Sequence, residues 1–291
     1  MRKIGIDVRM ASHAGIGRYI RELIRGFGVQ KTDDFHGTLL GSKSTRMIFS
    51  STAMPGFNFD IANSPIYSLR EQWEMGLHAK RFDLFHVPHF NVPLLCRARL
   101  VVTVHDLIYL HEKGATRSLI GKTYVRTLLK KIVRSADAIL TVSEYTKTDL
   151  LSLFPKFRPS RIFVTHEAAS EIFRPLPDRA IARQIRDRYG LEKPYVLFVG
   201  SLKSHKNIPA LLKAMKIFRN RCKIDAELVC LYNECEVFVL PSFCEGFGLP
   251  VLEAMSCGAP VIVSDRASLP EIAGKRVFCL ILKNPKRWQI A

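Results

Sequence analysis

Two glutamates and two glycines surround one predicted turn late in the sequence. Gly246 and Gly248 carry no side chain, so the backbone there can approach a bound ligand closely. The turn leads from a predicted strand into a predicted helix beginning at Leu249, and the first N–H groups of a helix have no partners within it. Together with the helix dipole, these groups suit a phosphate. Glu245 before the turn and Glu253 on the helix are hydrogen-bond acceptors for hydroxyl groups.

A phosphate site between two hydroxyl acceptors has the groups that a sugar nucleotide requires. The alternative is a helix N-terminus that carries ordinary acidic residues. A lone Glu-Gly pair would favour that alternative, whereas the whole string from 241 to 255 favours the ligand site.

Composition limits the class of protein that carries this turn. The 291 residues allow two domains, and 47% hydrophobic with 24% charged residues is typical of a soluble globular protein. No apolar run approaches the roughly 20 residues of a membrane span, and the start of the chain does not resemble a signal peptide. The seven cysteines form no Cys-x-x-Cys pair, which indicates free thiols in a reducing compartment. A cytoplasmic location is therefore expected.

The net charge of +18 predicts an anionic partner or a diffuse basic surface, and charge alone leaves both open. Residues 117–134 predict an amphipathic helix with several basic side chains, which suits either packing on a sheet or contact with anionic lipid. The inner face of a membrane is thus an alternative location. No nucleic-acid-binding module occurs, so binding of nucleic acid is not expected. The apolar stripe of this helix is Ile120, Tyr124, Leu128 and Ile132, and its basic residues are Arg117, Lys122, Arg126, Lys130, Lys131 and Arg134.

Short apolar runs alternate with helical patterns in both halves of the chain, which predicts two α/β domains with parallel sheets. The first opens with a strand, a glycine loop and a helix, as Rossmann-like domains do. The proline-rich segment 173–178 predicts the domain boundary, giving domains 1–175 and 176–291. The predicted strands are 3–8, 38–40, 83–87, 100–104, 138–142, 161–164, 195–199, 236–240 and 259–263. The predicted helices are 19–27, 64–80, 117–134, one opened by Ser143, 208–218, 226–233 and 249–255.

The string from Glu245 through Glu253 to Val261 resembles the signature of the family 4 retaining glycosyltransferases. The resemblance implies the GT-B fold, in which two Rossmann-like domains with parallel sheets face a cleft. It also implies that Glu245 contacts the donor sugar and that Glu253 holds the nucleotide ribose. Backbone N–H groups near Gly246, Phe247, Gly248 and Leu249 are then expected at the diphosphate or the sugar hydroxyls.

Three further strings resemble the same family. The loop 199–207 resembles its strand-to-helix loop, which assigns neutralisation of the diphosphate to Lys206. Many members have arginine where Ser201 stands, so Lys203 or His205 would have to compensate. The segment 103–107 resembles the loop in which a histidine, here His105, faces the donor sugar. Gly15 and Gly17 belong to a string that resembles the glycine loop approaching the diphosphate from the first domain.

Residues 85–93 resemble a subgroup that often builds mannose-containing surface polysaccharides. Their histidines, His86 and His89, suggest a metal site, yet no carboxylate or cysteine has the spacing to complete one. Neither a metal nor another cofactor is expected, because this kind of enzyme uses the nucleotide sugar as its donor substrate.

The resemblance covers most of the chain with one internal gap. Between the predicted helices 208–218 and 226–233 at least one strand–helix–strand block is absent, and the sequence after Gly274 is short. The second domain is therefore expected to be incomplete, with strand 195–199 at an unpaired edge.

These observations predict a hexosyltransferase that moves a sugar, with mannose favoured, from a nucleoside-diphosphate donor to a glycan or lipid-linked saccharide. Glu245 and His105 would orient the sugar while Lys206 stabilises the leaving diphosphate. The alternative is a truncated, non-catalytic remnant that binds a nucleotide or a partner without transfer.

Overall fold

A computed structural model describes residues 1–29, 34–50, 56–111, 119–191, 194–214, 225–274 and 278–280. The chain divides into two compact units, with the described residues up to His166 in the first and those from Glu167 in the second. The division lies before the predicted boundary at 175, so residues 167–175 belong to the second unit. Predicted positions 117–118 and 215–218 lie outside the described residues.

The first unit is built on a seven-stranded parallel sheet in the order β3-β2-β1-β4-β5-β6-β7. Its strands are β1 (Arg2–Asp7), β2 (Phe35–Gly41), β3 (Phe57–Ile61), β4 (Leu84–Val87), β5 (Arg99–Val104), β6 (Ala138–Thr141) and β7 (Ile162–Val164). Its helices are α1 (Ile16–Val29), α2 (Lys43–Ser50), α3 (Leu69–Ala79), α4 (Ile108–His111), α5 (Leu119–Ser135) and α6 (Glu144–Leu153), and a 3₁₀ turn spans Pro159–Arg161.

Helices α3 and α5 cover the central strands of this sheet. Their inward side chains, among them Met75 and Leu128, join one core cluster with Phe85 of β4 and Val102 of β5. Tyr124 and Ile132 of the predicted apolar stripe pack in the same cluster. The basic residues of α5 therefore lie on the side of the helix away from the core.

Two helix starts in this unit depend on serine caps. The Ser143 side chain accepts a hydrogen bond from the Thr146 N–H and caps α6, as predicted. Ser68 caps α3 in the same way, so that helix begins at Leu69 and not at 64 as predicted. The sequence analysis assigned no strand at β3 and no helix at α2.

The second unit contains a smaller parallel sheet of four strands in the order β11-β10-β9-β8. Its strands are β8 (Val196–Leu197), β9 (Val237–Leu240), β10 (Val261–Ser264) and β11 (Phe278–Leu280). Its helices are α7 (Ala180–Arg188), α8 (Ile208–Ala214), α9 (Asp225–Glu234), α10 (Leu249–Ser256) and α11 (Leu269–Ala273), and a 3₁₀ turn spans Ser204–Lys206. Within the described residues, β8 pairs with β9 alone and forms the edge of the sheet.

The segment predicted as the domain boundary is part of this unit's core. Phe173 is buried and its ring meets the fully buried Tyr232 of α9 at a centroid distance of 5.9 Å. The Leu176 N–H donates to Asn233 Oδ1 at 2.9 Å. These contacts attach the segment to α9.

No helix in the described part of the chain has the length and apolar character that crossing a membrane requires.

Candidate active site

The predicted glycine turn connects β9 to α10 in the second unit. Gly248 caps α10 with φ +105°, a backbone conformation that favours glycine, and no side chain caps the helix. A Cβ at Gly248 would lie 2.7 Å from Cδ2 of Leu269, so the packing also requires glycine there. The Ser268 hydroxyl, 3.0 Å from the Glu245 carbonyl oxygen and 2.7 Å from that of Phe247, holds the turn from α11.

The side chains of Phe247 and Leu249 point into the protein and are buried. Their side chains are thus not the groups that would contact a ligand, and the role of their N–H groups at a diphosphate stays a prediction. Pro250, near the start of the helix, lacks an N–H at a position where none is needed.

The structure brings Lys206 and Glu245 together, although 39 residues separate them in sequence. Lys206 Nζ donates to Glu245 Oε1 at 2.6 Å, and the side chains are only 14% and 10% exposed. Lys206 ends the 3₁₀ turn after β8, and the next residue, Asn207, adopts φ +54°. The Phe243 N–H donates to the His205 carbonyl oxygen at 2.7 Å and joins the lysine loop to the glycine turn. Lys203, at the start of the 3₁₀ turn, is exposed.

Glu253 is fully buried on α10, and its Oε2 accepts a hydrogen bond from the Tyr232 hydroxyl at 3.2 Å. Its negative charge contributes, after burial, to raising the pKa of the Cys257 thiol to about 11. A hydrogen bond to ribose stays a prediction for Glu253, since its carboxylate is enclosed in this structure.

His105 follows β5 in the first unit and is held from several sides. Its Nε2–H donates to the Pro88 carbonyl oxygen at 3.1 Å, and its ring meets the edge of Tyr19 at 4.8 Å. The Tyr19 hydroxyl lies 3.2 Å from Thr103 Oγ1, which is also 3.0 Å from His86 Nε2. The histidine loop and α1 therefore form one cluster.

The two glycines that open α1 differ in their surroundings. Gly15 has φ +71° and open space where a Cβ would be. A Cβ at Gly17 would lie 2.5 Å from the Ala11 carbonyl oxygen, so Gly17 is needed for packing of the loop against the helix. Of Gly15 and Gly17, Gly15 is therefore the one with open space for close approach of a ligand.

A polar network that the sequence analysis missed lies at the carboxyl end of β1. Arg9 Nε and Nη2 donate to Asp7 at 2.9 and 2.6 Å, and Nη2 also donates to Glu71 at 2.5 Å. Glu71 accepts a further hydrogen bond from the Asn91 side chain at 2.6 Å. Burial alone would lower the pKa of Arg9, but the two carboxylates raise it overall. The position of Asp7 and Arg9 at the end of a parallel strand was the signal that could have identified the network.

A small cavity borders this network and is lined by Asp7, Arg9, Glu71, Asn91 and His89 among others. His89 is buried, and its Nδ1 has no hydrogen-bond partner among the described residues. Burial, with the nearby histidines His105 and His13, lowers the pKa of His89 to about 3. Burial and His105 lower the pKa of His86 to about 4. Both imidazoles are therefore neutral near pH 7.

Within the described ranges, no group of three or more histidine, cysteine, aspartate or glutamate side chains could hold a metal ion.

Two glycosyltransferase family models match the chain. The family model described as "Glycosyltransferase Family 4" matches residues 13–168, more than half of the chain, and the model "Glycosyl transferases group 1" matches residues 222–290. The second match contains the glycine turn and both of its glutamates.

Several curated relatives are bacterial mannosyltransferases. "O-antigen chain mannosyltransferase B" of Escherichia coli is 28% identical in an alignment of 322 positions, gaps included. The alignment covers 89% of this chain and 81% of the relative. "O-antigen chain mannosyltransferase RfbU" of Salmonella typhimurium is 27% identical over 236 residues, covering 70% and 62%. "Serotype-specific mannosyltransferase WbdA" of Escherichia coli is 29% identical over 230 residues, and the chain spans only 27% of its length.

Solved structures show the same fold. Alr3699/HepE of Anabaena, in complex with UDP and glucose, matches with a TM-score of 0.72 at 17% identity, covering 96% of this chain and 85% of that one. WaaG, a glycosyltransferase of lipopolysaccharide biosynthesis, matches with a TM-score of 0.66 at 12% identity, covering 93% and 83%.

Proposed function

The chain belongs to glycosyltransferase family 4, and from this membership we propose that it transfers mannose from a nucleoside-diphosphate sugar with retention of anomeric configuration. The fold is that of the GT-B glycosyltransferases, and the family makes the chain a hexosyltransferase. The acceptor is a hydroxyl group of a glycan or of a lipid-linked saccharide. Mannose is favoured because the relatives named above are mannosyltransferases.

The observation that carries this proposal is the contact between Lys206 and Glu245 beside the glycine turn. A largely buried ammonium group requires a counter-charge, and Glu245 supplies it when no donor is bound. The diphosphate of a donor brings negative charge to the same place. Lys206 then stabilises the charge that develops on the leaving diphosphate, and Glu245 becomes an acceptor for the donor-sugar hydroxyls.

The start of α10 supports a phosphate position next to this pair. The helix has no side-chain cap at Gly248, and its dipole favours an anion at this end. The donor diphosphate would accept hydrogen bonds from the N–H groups near Gly248 and Leu249. Glu253 would bind the ribose, and Gly15 with Gly17 would form the glycine loop of the first unit.

The polar groups around the small cavity in the first unit are our candidate contacts for a hydroxyl of the acceptor; the cavity itself has a volume of about 10 Å³, which is enough for one water molecule. Its wall combines the Asp7–Arg9–Glu71 network with the neutral imidazole of His89, whose Nδ1 is an unused hydrogen-bonding position. Such groups recognise hydroxyls. His105 shares Pro88 with this wall and would orient the donor sugar.

We place the reaction on the cytoplasmic side, with a lipid-linked acceptor at an anionic membrane surface. The reaction would use no metal ion, because Lys206 and the helix amides supply the positive charge that the diphosphate needs.

Replacement of Glu245 tests the assignment directly. Glu245→Gln keeps the size of the side chain but removes the charge that orients Lys206, so turnover should fall by about 10²–10³-fold. Glu236→Gln, an exposed change in the same unit, is the matched control and should keep wild-type turnover. Equal turnover of Glu245→Gln and the control would remove Glu245 from the mechanism.

A donor screen by ligand-induced thermal shift tests the sugar nucleotide. GDP-mannose, GDP, UDP-glucose and UDP should be compared, because a ligand that binds only the folded protein raises its melting temperature. A shift with GDP-mannose that Lys206→Met abolishes and Lys156→Met preserves would support the donor site. A shift with the uridine nucleotides alone would contradict the choice of mannose.

A second candidate function is nucleotide or partner binding without transfer. The alignment with mannosyltransferase B runs over 322 positions, more than this whole chain contains, so that relative has residues without a counterpart here. The two-residue strand β8 at the sheet edge lies where the expected strand–helix–strand block would pair. Donor binding by calorimetry without sugar transfer would favour this candidate over the first.

A further inference from the structure

Helix α3 carries an apolar stripe that faces solvent. Leu69, Trp73 and Leu77 recur every four residues and therefore lie along one side of the helix. Their exposed fractions are 90%, 66% and 42%. The opposite side of the helix provides Met75 and Ala79 to the core. The stripe is thus additional to the face that holds α3 in the fold.

The loop after β4 extends this stripe. The Leu94 N–H donates to Gln72 Oε1 of α3 at 2.8 Å, and a Cβ at Gly76 would meet Leu95 at 3.5 Å. Leu94 and Leu95 are 40% and 67% exposed. We call the five side chains Leu69, Trp73, Leu77, Leu94 and Leu95 the apolar patch. Its size distinguishes it from the single exposed apolar residues that every protein surface carries.

Basic side chains surround the apolar patch. Arg70, Lys80 and Arg97 are exposed next to it. The nearby acid, Glu74, is largely covered: its carboxylate accepts hydrogen bonds from the N–H groups of Asn63 and Ser64 and lies 4.0 Å from Arg70 Nε.

Helix α5 continues the positive surface. Lys122, Arg126, Lys130 and Arg134 recur every four residues along it, and its sequence contains no aspartate or glutamate. Asn91, just before the loop of the apolar patch, links the two helices: it accepts a hydrogen bond from the Tyr124 hydroxyl of α5 at 3.0 Å and donates one to Glu71 of α3 at 2.6 Å. The four residues that recur along α5 are called the basic stripe below.

We propose that the apolar patch and the basic stripe together dock the first unit on an anionic lipid bilayer. Tryptophan and leucine partition into the boundary between headgroups and acyl chains, while lysine and arginine attract the anionic headgroups. The exposed cations Lys80 and Arg97 and those of the basic stripe complement an anionic lipid surface, while Arg70 is paired with Glu74. This inference deepens the proposed function. It rests on that function in one respect, because a lipid-linked acceptor would be held at such a surface.

Fluorescence of Trp73 provides the first test. The sequence has two tryptophans, so Trp288→Phe leaves Trp73 as the sole reporter in the full chain. Vesicles of phosphatidylglycerol and phosphatidylcholine should shift its emission to shorter wavelength, and brominated lipid should quench it. Pure phosphatidylcholine should produce much less of both effects. Unchanged emission with the anionic vesicles would overturn the proposal.

Vesicle co-sedimentation with variants provides the second test. Leu69→Glu should lose binding, while Ile181→Glu, an exposed apolar residue at the start of α7, should bind as wild type. Arg126→Gln and Lys130→Gln should each weaken binding about fivefold, and binding should weaken further as salt is added.

The outcomes separate this proposal from the proposed function. Loss of vesicle binding in Leu69→Glu with unchanged turnover on a short, soluble acceptor supports docking through the apolar patch. Equal vesicle binding by Leu69→Glu and Ile181→Glu overturns it, whatever the enzyme's activity. A wild-type dimer by light scattering that Leu69→Glu converts to a monomer assigns the patch to a second copy and overturns it too.

Discussion

Gly248→Ala should destabilise the second unit at the residue that shapes the candidate active site. The φ of +105° costs an L-residue about 1–2 kcal/mol. The new methyl group would lie 2.7 Å from Cδ2 of Leu269, which is fully buried, and such overpacking costs about 1–3 kcal/mol. The sum is a loss of about 2–5 kcal/mol in unfolding free energy.

Gly258→Ala is the matched control, because it isolates the backbone contribution. Gly258 also has a positive φ, +81°, but nothing lies within 4 Å of its Cβ position, so about 1 kcal/mol is expected. The assay is thermal unfolding by circular dichroism, in which each kcal/mol corresponds to roughly 3 °C for a unit of this size. Equal melting temperatures for the two variants would refute the steric argument. Gly248→Ala should also reduce turnover, since the turn then shifts.

Two further perturbations test the interior of the first unit. Glu71→Gln removes one of the two carboxylates that balance buried Arg9 and should lower the unfolding free energy in urea by about 3 kcal/mol, whereas exposed Glu144→Gln should change it little. His86 and His89 have folded-state pKa values of about 4 and about 3, so the unfolded chain binds more protons below its ordinary pKa of about 6.5. Stability should therefore fall from pH 7 to pH 5 by about 2 kcal/mol for each histidine, and urea midpoints independent of pH over this range would contradict their burial as neutral imidazoles.

The strands that sequence could predict are the ones enclosed by helices. β4 and β5 are mostly apolar, with His86 and Thr103 among buried aliphatic and aromatic residues, because both faces of the sheet are covered there. β3 was missed because it is the sheet edge and alternates polar residues, Asn58 and Asp60, with phenylalanine. α7 was missed because the preceding prolines indicated a boundary, whereas the contacts of Phe173 with α9 attach that segment to the second unit.

Local chemistry in the candidate site was predictable, and pairing across the sequence was not. The glycine turn could be located because a strand, glycines, an early helical proline and a helix follow one another directly. The contact of Lys206 with Glu245 joins two separate loops, and that of Arg9 with Glu71 spans 62 residues. Each of these contacts depends on the order of the strands in the sheet, and the spacing of residues within one motif does not reveal that order. The enclosure of Glu253 depends in the same way on Tyr232, which belongs to the preceding helix.

The Lys206–Glu245 ion pair explains how the loop around a largely buried lysine can be stable without a donor. The same lysine would provide positive charge when a donor is bound. A lysine that is only 14% exposed would be destabilising without its carboxylate, so Glu245 keeps the empty loop folded. In the proposed function, the donor diphosphate, which carries more negative charge than one carboxylate, would compete for the ammonium and release Glu245 Oε1 to accept sugar hydroxyls. Both roles of Glu245 depend on its distance from Lys206 and not on its charge alone. Glu245→Asp, which keeps the charge but shortens the side chain by one methylene, should therefore impair both loop stability and turnover.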